Sequence, residues 1–179
     1  MEGSGLRPGS RSLRGRLRAV DALTLAAVAL VVLLVSLPRL RDLALRENES
    51  DAVWLARRLA ELSTEDLTPQ AGGRAVRELV ESRPLLKRQI DDVEYLGGGR
   101  VLRRHGYLFE VLALDSGSKP RRVVRAWPWQ AGHTGRVALV WSPETGLLGH
   151  ENADGRWSGD CPPPSEAAAG QGWRRVRER

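Results

Sequence analysis

Cysteine is almost missing from this chain: Cys161 is the one thiol in 179 residues. That excludes an internal disulfide framework and any multi-cysteine zinc ribbon. Close-spaced metal ligands are missing too. His105, His133 and His150 are scattered, with no HExxH pattern, and structural zinc sites usually contain paired close ligands. Asp91, Asp92 and Glu94 lack the oxygen-rich loop that calcium needs and read as a solvated helix end. The Gly97–Gly99 run precedes a strand and lacks the Gly-Lys-Ser/Thr ending of a phosphate loop. Neither a cofactor site nor a metal site is expected, and no catalytic constellation stands out, so the chain reads as a non-enzyme.

The chain also lacks excess charge where a nucleic-acid face would need it. The formal charge is +6, carried almost entirely by arginine. Residues 1–21 hold +3 of it and residues 171–179 the other +3, so positions 22–170 are neutral. A binding face for nucleic acid requires clustered positive charge in the folded body. No nucleic-acid partner is expected.

What is present is a long apolar run. Residues 22–37 read ALTLAAVALVVLLVSL, sixteen positions without a charge. As a helix they cover roughly 24 Å, a little short of a hydrocarbon core of about 30 Å. Flanking residues extend the span to about 20–38, with Asp21 at the interface. A buried core helix is the competing reading. Against it, the run follows an arm with Arg7, Arg11, Arg14, Arg16 and Arg18, while its other flank mixes Arg39, Arg41 and Arg46 with Asp42, Glu47, Glu49 and Asp51. Excess arginine on the first side predicts a cytoplasmic N-terminus and an exported remainder. The lipid bilayer is therefore the expected partner and the cytoplasmic (inner) membrane the expected location. Val35-Ser36-Leu37-Pro38 offers no small-x-small cleavage pattern, which favours a single-pass signal-anchor over a removable signal.

Beyond Pro38, an expected kink point, strong helix formers continue to Leu62, with Leu43, Leu55, Leu59 and Leu62 at near-helical intervals. Thr68-Pro69 opens a short second helix to about Ser82, and Pro84 breaks it. From Val93 the pattern turns to short strands: 93–96, 100–104, 106–114, 122–127, 135–141 and 147–149. Tight turns at Gly97–Gly99, Asp115–Ser118 and 142–146 join them into an antiparallel meander. The second half of the long helix is the element available to cover the sheet. Trp127, Trp129 and Trp141 are either a ligand platform or core, and at least two are expected in the core. The Gly-, Pro- and Ala-rich stretch 151–179 reads as a mobile tail with a solvated basic end. The expected division is a basic arm over 1–16, a long helix over 17–62, an α+β head over 63–150, and that tail.

An acidic residue opening an apolar helix, a proline seventeen positions later, and an amphipathic continuation resemble type IV pilins and type II secretion pseudopilins. Asp21 falls at the family's glutamate and Pro38 at its proline when Leu17 is taken as the first mature residue. Arg16 and Leu17 then form the leader-cleavage junction. Gly15 stands one place before the family's leader glycine, and aspartate replaces glutamate. A second stretch carries the same likeness. His105-Gly106-Tyr107-Leu108-Phe109, Ala126-Trp127-Pro128, Thr134-Gly135-Arg136 and Glu144-Thr145-Gly146 resemble motifs of bacterial pilin-like proteins. The resemblance implies a pilin-like fold, a structural or assembly role in a pilus- or secretion-type machine, and contact with like subunits through the N-terminal helix. It also implies that Asp21 is the assembly carboxylate, neutralised by a neighbouring subunit's N-terminus. From the residues alone, an interfacial acid beside Arg18 is the competing reading. Two other functions stay open: a membrane-tethered binding module that does not polymerise, and, ranked last, an anchored hydrolase using His105, Asp92 or His133.

Overall fold

A computed structural model describes residues 10–65, 76–115, 120–167 and 170–177. The chain divides into two compact units, Met1–Leu43 and Ala44–Arg179, with the boundary inside one helix. That helix, α1, spans Ser10–Glu65 and contains Pro38 without ending there. Pro38 has no N–H to offer the Leu34 carbonyl, so the helix continues through it with one backbone hydrogen bond fewer. The last turn closes on side chains: Ser63 Oγ donates to the Ala60 carbonyl at 2.8 Å and Thr64 Oγ1 to the Glu61 carbonyl at 2.6 Å. Both are back-bonds to carbonyls three residues earlier, which keep the Ser63 and Thr64 hydroxyls satisfied within the last turn.

The second unit is an α+β head. Two short helices follow α1, α2 (Val76–Glu81) and α3 (Pro84–Gln89), the latter with proline at its start. The Thr68-Pro69 opening expected for the second helix lies outside the described residues. Seven strands then run in strict sequence order, every neighbour antiparallel: β1 (Glu94–Leu96), β2 (Val101–Arg104), β3 (Tyr107–Asp115), β4 (Pro120–Pro128), β5 (Val137–Ser142), β6 (Gly146–Glu151) and β7 (Trp173–Arg175). Six were expected, and β7 was not.

Turn chemistry sets the register. Arg104 pairs with Tyr107, leaving His105 and Gly106 as a two-residue loop with φ of 45° and 76°. Two consecutive positive φ values make the mirror-image turn that matches strand twist. Gly97, Gly98 and Gly99 all take positive φ, as their turn requires. The expected hairpin at Asp115–Ser118 is closed by the Asp115–Pro120 pair, its tip lying outside the described residues.

Each strand alternates between two faces. One face presents Leu102, Phe109, Val124, Ala126 and Leu139 to Leu55 and Leu59 of α1 and to α2 and α3. Both α1 leucines are fully buried. The other face, with Leu108, Val123, Ala138, Val140 and Leu148, is covered by Trp157 and Trp173. The expected mobile tail is therefore corrected: residues 151–167 and 170–177 fold back over the sheet and add its last strand. The physical reason lies with Trp157 and Trp173, whose rings bury against this face and offset part of the cost of ordering a polar, proline-rich segment. Hydrogen bonds fix its path. Asn152 Nδ2 donates to the Trp157 carbonyl at 2.6 Å, Asn152 Oδ1 accepts from Trp157 N–H at 3.2 Å, and Trp127 Nε1 donates to the Gly159 carbonyl at 2.7 Å. Arg125, paired with Glu110, also donates to the Pro163 carbonyl at 2.7 Å.

Gly135 sits where the Tyr107 ring passes, and any Cβ there would overlap it. Tyr107 is buried and its hydroxyl donates to the Val137 carbonyl at 3.0 Å. Gly135→Ala should displace the ring and cost about 1–3 kcal/mol, as overpacking does. Thermal denaturation checks it: the expected fall in Tm is about 2–4 °C per kcal/mol.

Candidate functional site

The first candidate is the apolar stretch of α1. Ten large side chains from Leu23 to Leu37 are each between 52% and 71% exposed, on every side of the helix. A helix apolar all round is buried in protein or in a membrane. At half exposure each such side chain forfeits about 1 kcal/mol of transfer energy, so the ten forfeit roughly 10 kcal/mol, comparable to the stability of a whole domain. Among the described residues one helix, near the N-terminus, is long and apolar enough by length and composition to cross a membrane. Asp21 and Pro38 lie on its exposed surface, and Arg16 and Leu17 lie within α1.

The second candidate lies on the head. His105, at the β2–β3 turn, has Nδ1 3.1 Å from Asp51 Oδ2 and Nε2 2.6 Å from Asp92 Oδ2. Asp51 belongs to α1 and Asp92 to the segment between α3 and β1. Arg104 bridges the same two carboxylates, through Nη1 to Asp51 Oδ1 and Nε to Asp92 Oδ1, both at 2.8 Å. Its guanidinium also lies 5.8 Å from the centre of the Trp54 ring. Partial burial alone would raise the Asp92 pKa, but the hydrogen bond and charge of Arg104, with His105 beside it, lower it overall. Two further contacts tie the same stretch of α1 to the sheet. Asn48 Nδ2 donates to the Thr134 carbonyl at 3.0 Å, and Glu49 Oε1 accepts from Arg136 N–H at 2.8 Å.

This cluster brings together His105 and Asp92, two of the residues an anchored hydrolase would use. Both ring nitrogens face carboxylates, so the imidazole has no free nitrogen to activate a nucleophile. Asp51 is the member that sequence reasoning missed, because nothing at position 51 distinguishes it from other helix-surface acids. A cavity of about 850 Å³ alongside α1 is lined partly by Glu49, Arg57, Arg58 and Glu61. These groups are engaged: Arg57 donates to the Val176 and Arg177 carbonyls at 3.2 Å, and Arg58 pairs with Glu61 at 2.6 Å. Burial drives the Tyr107 pKa far up, with the Glu49 charge adding to it and the bond to Val137 opposing it, so the phenol stays a neutral donor.

The remaining candidates fall elsewhere. Trp127 is core, whereas Trp129 and Trp141 pack at the margins of opposite faces and are only partly buried. They form no platform, and one rather than two is buried outright. His150 packs edge-on against Trp157 and at a tilt against Trp173, at ring separations of 4.8 and 5.2 Å. Glu94 pairs with Arg103 at 3.2 Å. Cys161 is exposed. Among the described residues no group of three or more His, Cys, Asp or Glu is arranged to hold a metal ion. Comparison of the chain with protein-family models, with curated proteins and with solved structures found no match. The functional reading therefore stands on the geometry and on the sequence motifs.

Proposed function

We propose that this is a single-pass, pilin-like or pseudopilin-like membrane protein, a structural or assembly component of a pilus- or secretion-type machine. Its first helix is held in the cytoplasmic membrane with the arginine-rich end inside, and its head lies on the outer side. The observation that carries this reading is the uncovered apolar run Ala22–Leu37 in the same helix whose later residues, Leu55 and Leu59, cover an antiparallel meander. Small and branched side chains such as Ala26, Ala27, Val31 and Val32 suit helix packing in lipid or a filament core. Like subunits are the partners, and Asp21 is the carboxylate placed to meet a neighbour's N-terminus in that packing.

A second reading rests on one observation: Arg16, not glycine, precedes Leu17. On that reading the leader stays attached and the protein is a membrane-tethered binding module that does not polymerise. Mass spectrometry of the N-terminus, on protein taken from native membranes, separates the two. A chain starting at Leu17 with a methylated amine supports assembly. An intact arm, Met1 onward, supports the tether and removes Asp21 from its assembly role.

A further inference from the structure

The cavity of about 850 Å³ beside α1 runs between one stripe of that helix and a wall made by β5 with the residues that follow β7. Arg46, Ser50, Val53 and Arg57 are three or four residues apart, so they line up on one side of the helix. Val53, Val137 and Val176 are only partly buried and give the groove an apolar floor. Its charged lining is uneven, with four arginines against two glutamates, Glu49 and Glu61. Both glutamates are already used, Glu49 by the Arg136 N–H and Glu61 by Arg58. The salt bridges of the head leave Arg46, Arg57 and Arg177 without a carboxylate partner among the described residues. Arg57 gives Nη2 alone to the Val176 and Arg177 carbonyls, each at 3.2 Å. Those bonds fix the guanidinium across the groove, and neutral oxygens leave its charge to be met from outside.

We propose that this groove takes an extended acidic segment of a partner protein. Acidic side chains at its first and fifth positions would meet Arg46 and Arg57, and an aliphatic side chain at the third would rest on Val53, Val137 and Val176. The spacing carries the choice. Arg46 and Arg57 stand eleven residues apart on α1, about 16 Å along its axis. A ligand with one anionic head and an alkyl tail satisfies one end of that span, whereas a peptide can satisfy both. Alternate side chains of an extended chain face the same way, so its first, third and fifth residues share a face, with the outer two about 13 Å apart. Flexible arginine stems close the remaining few ångströms. Because Arg57 is already braced, part of the ordering cost of binding is met before the segment arrives. The groove lies wholly on the head and is present whether or not the protein assembles.

The test is fluorescence anisotropy on the full-length protein in an uncharged detergent, with a labelled, end-blocked peptide of sequence Glu-Ser-Leu-Ser-Glu. It should bind about tenfold or more tightly than the matched Gln-Ser-Leu-Ser-Gln peptide, each carboxylate contributing about threefold to tenfold at arginines that are partly exposed. Arg46→Gln is the informative variant, since this exposed side chain has no contact in the head to lose. It should weaken the acidic peptide about threefold to tenfold and leave the neutral one unchanged. Arg57→Gln should weaken it further, because it also frees the carbonyls that brace the groove. Equal affinity for the two peptides, or no binding of either, would overturn the proposal. So would acidic-peptide binding that Arg46→Gln leaves intact, which would place the segment on another basic surface such as Arg174 and Arg175. Displacement of the peptide by short-chain phosphatidylglycerol more readily than by unlabelled peptide would give the groove to a lipid headgroup instead. A dimer of the full-length chain that excludes the peptide and is lost in Arg46→Gln would give it to a second copy.

Discussion

Val28→Arg combined with Val32→Arg should release the protein from membranes. On insertion scales each large aliphatic residue contributes about −0.3 to −0.6 kcal/mol, and an arginine near the helix centre costs about 2.5–3.5 kcal/mol. The eight large apolar residues left between Leu23 and Leu37 then supply roughly −2 to −5 kcal/mol against about 5–7 kcal/mol for the pair. The balance changes sign. Two positions four apart lie on one helix side, so snorkelling towards opposite interfaces cannot rescue both. Alkaline carbonate extraction reads the result: wild type stays in the membrane pellet and the double variant moves to the supernatant or to aggregates. A wild-type chain recovered as a water-soluble monomer would remove the basis of the membrane reading.

The features legible in the sequence are those with local causes. The apolar run, the helix formers after Pro38 and the glycine turns each act over a few residues, and the corresponding helix and strands β1–β6 fall where those signals lie. The faces of the sheet follow from alternation once the turns are placed, which is why Phe109 and Leu139 end up under α1 and Leu108 and Val140 on the far side. Two things were not legible, for different reasons. Residues 151–177 have the composition of a disordered tail, and only Trp157 and Trp173 betray a reason to fold; composition averages hide two side chains. The His105 cluster unites α1, the segment before β1 and the β2–β3 turn through contacts between residues 12–13 and 53–54 positions apart, which no local pattern encodes. Fold signals are local here, whereas the polar cluster is a product of the finished topology.

Trp173→Ala should be among the most damaging single substitutions in the head, although it sits only six residues from the chain's last arginine. Trp173 is 6% exposed, its ring centre lies 5.2 Å from that of Trp157, and on the sheet it pairs with His150. Removing a buried indole costs about 3–5 kcal/mol. Here it also unseats β7, whose following residue Val176 packs on the opposite core. A Tm decrease of about 6–20 °C is expected for a head of this size. Arg175→Ala on the same strand, at an exposed position, should stay within about 0.5 kcal/mol of wild type. Combining Trp157→Ala with Trp173→Ala should cost less than the sum, by about 0.5–1.5 kcal/mol, because each ring is the other's packing partner. A mobile tail makes the opposite forecast, with both single tryptophan variants as silent as Arg175→Ala. Denaturation of this set of variants thus decides whether the far face of the sheet is covered by this segment or left bare for a partner.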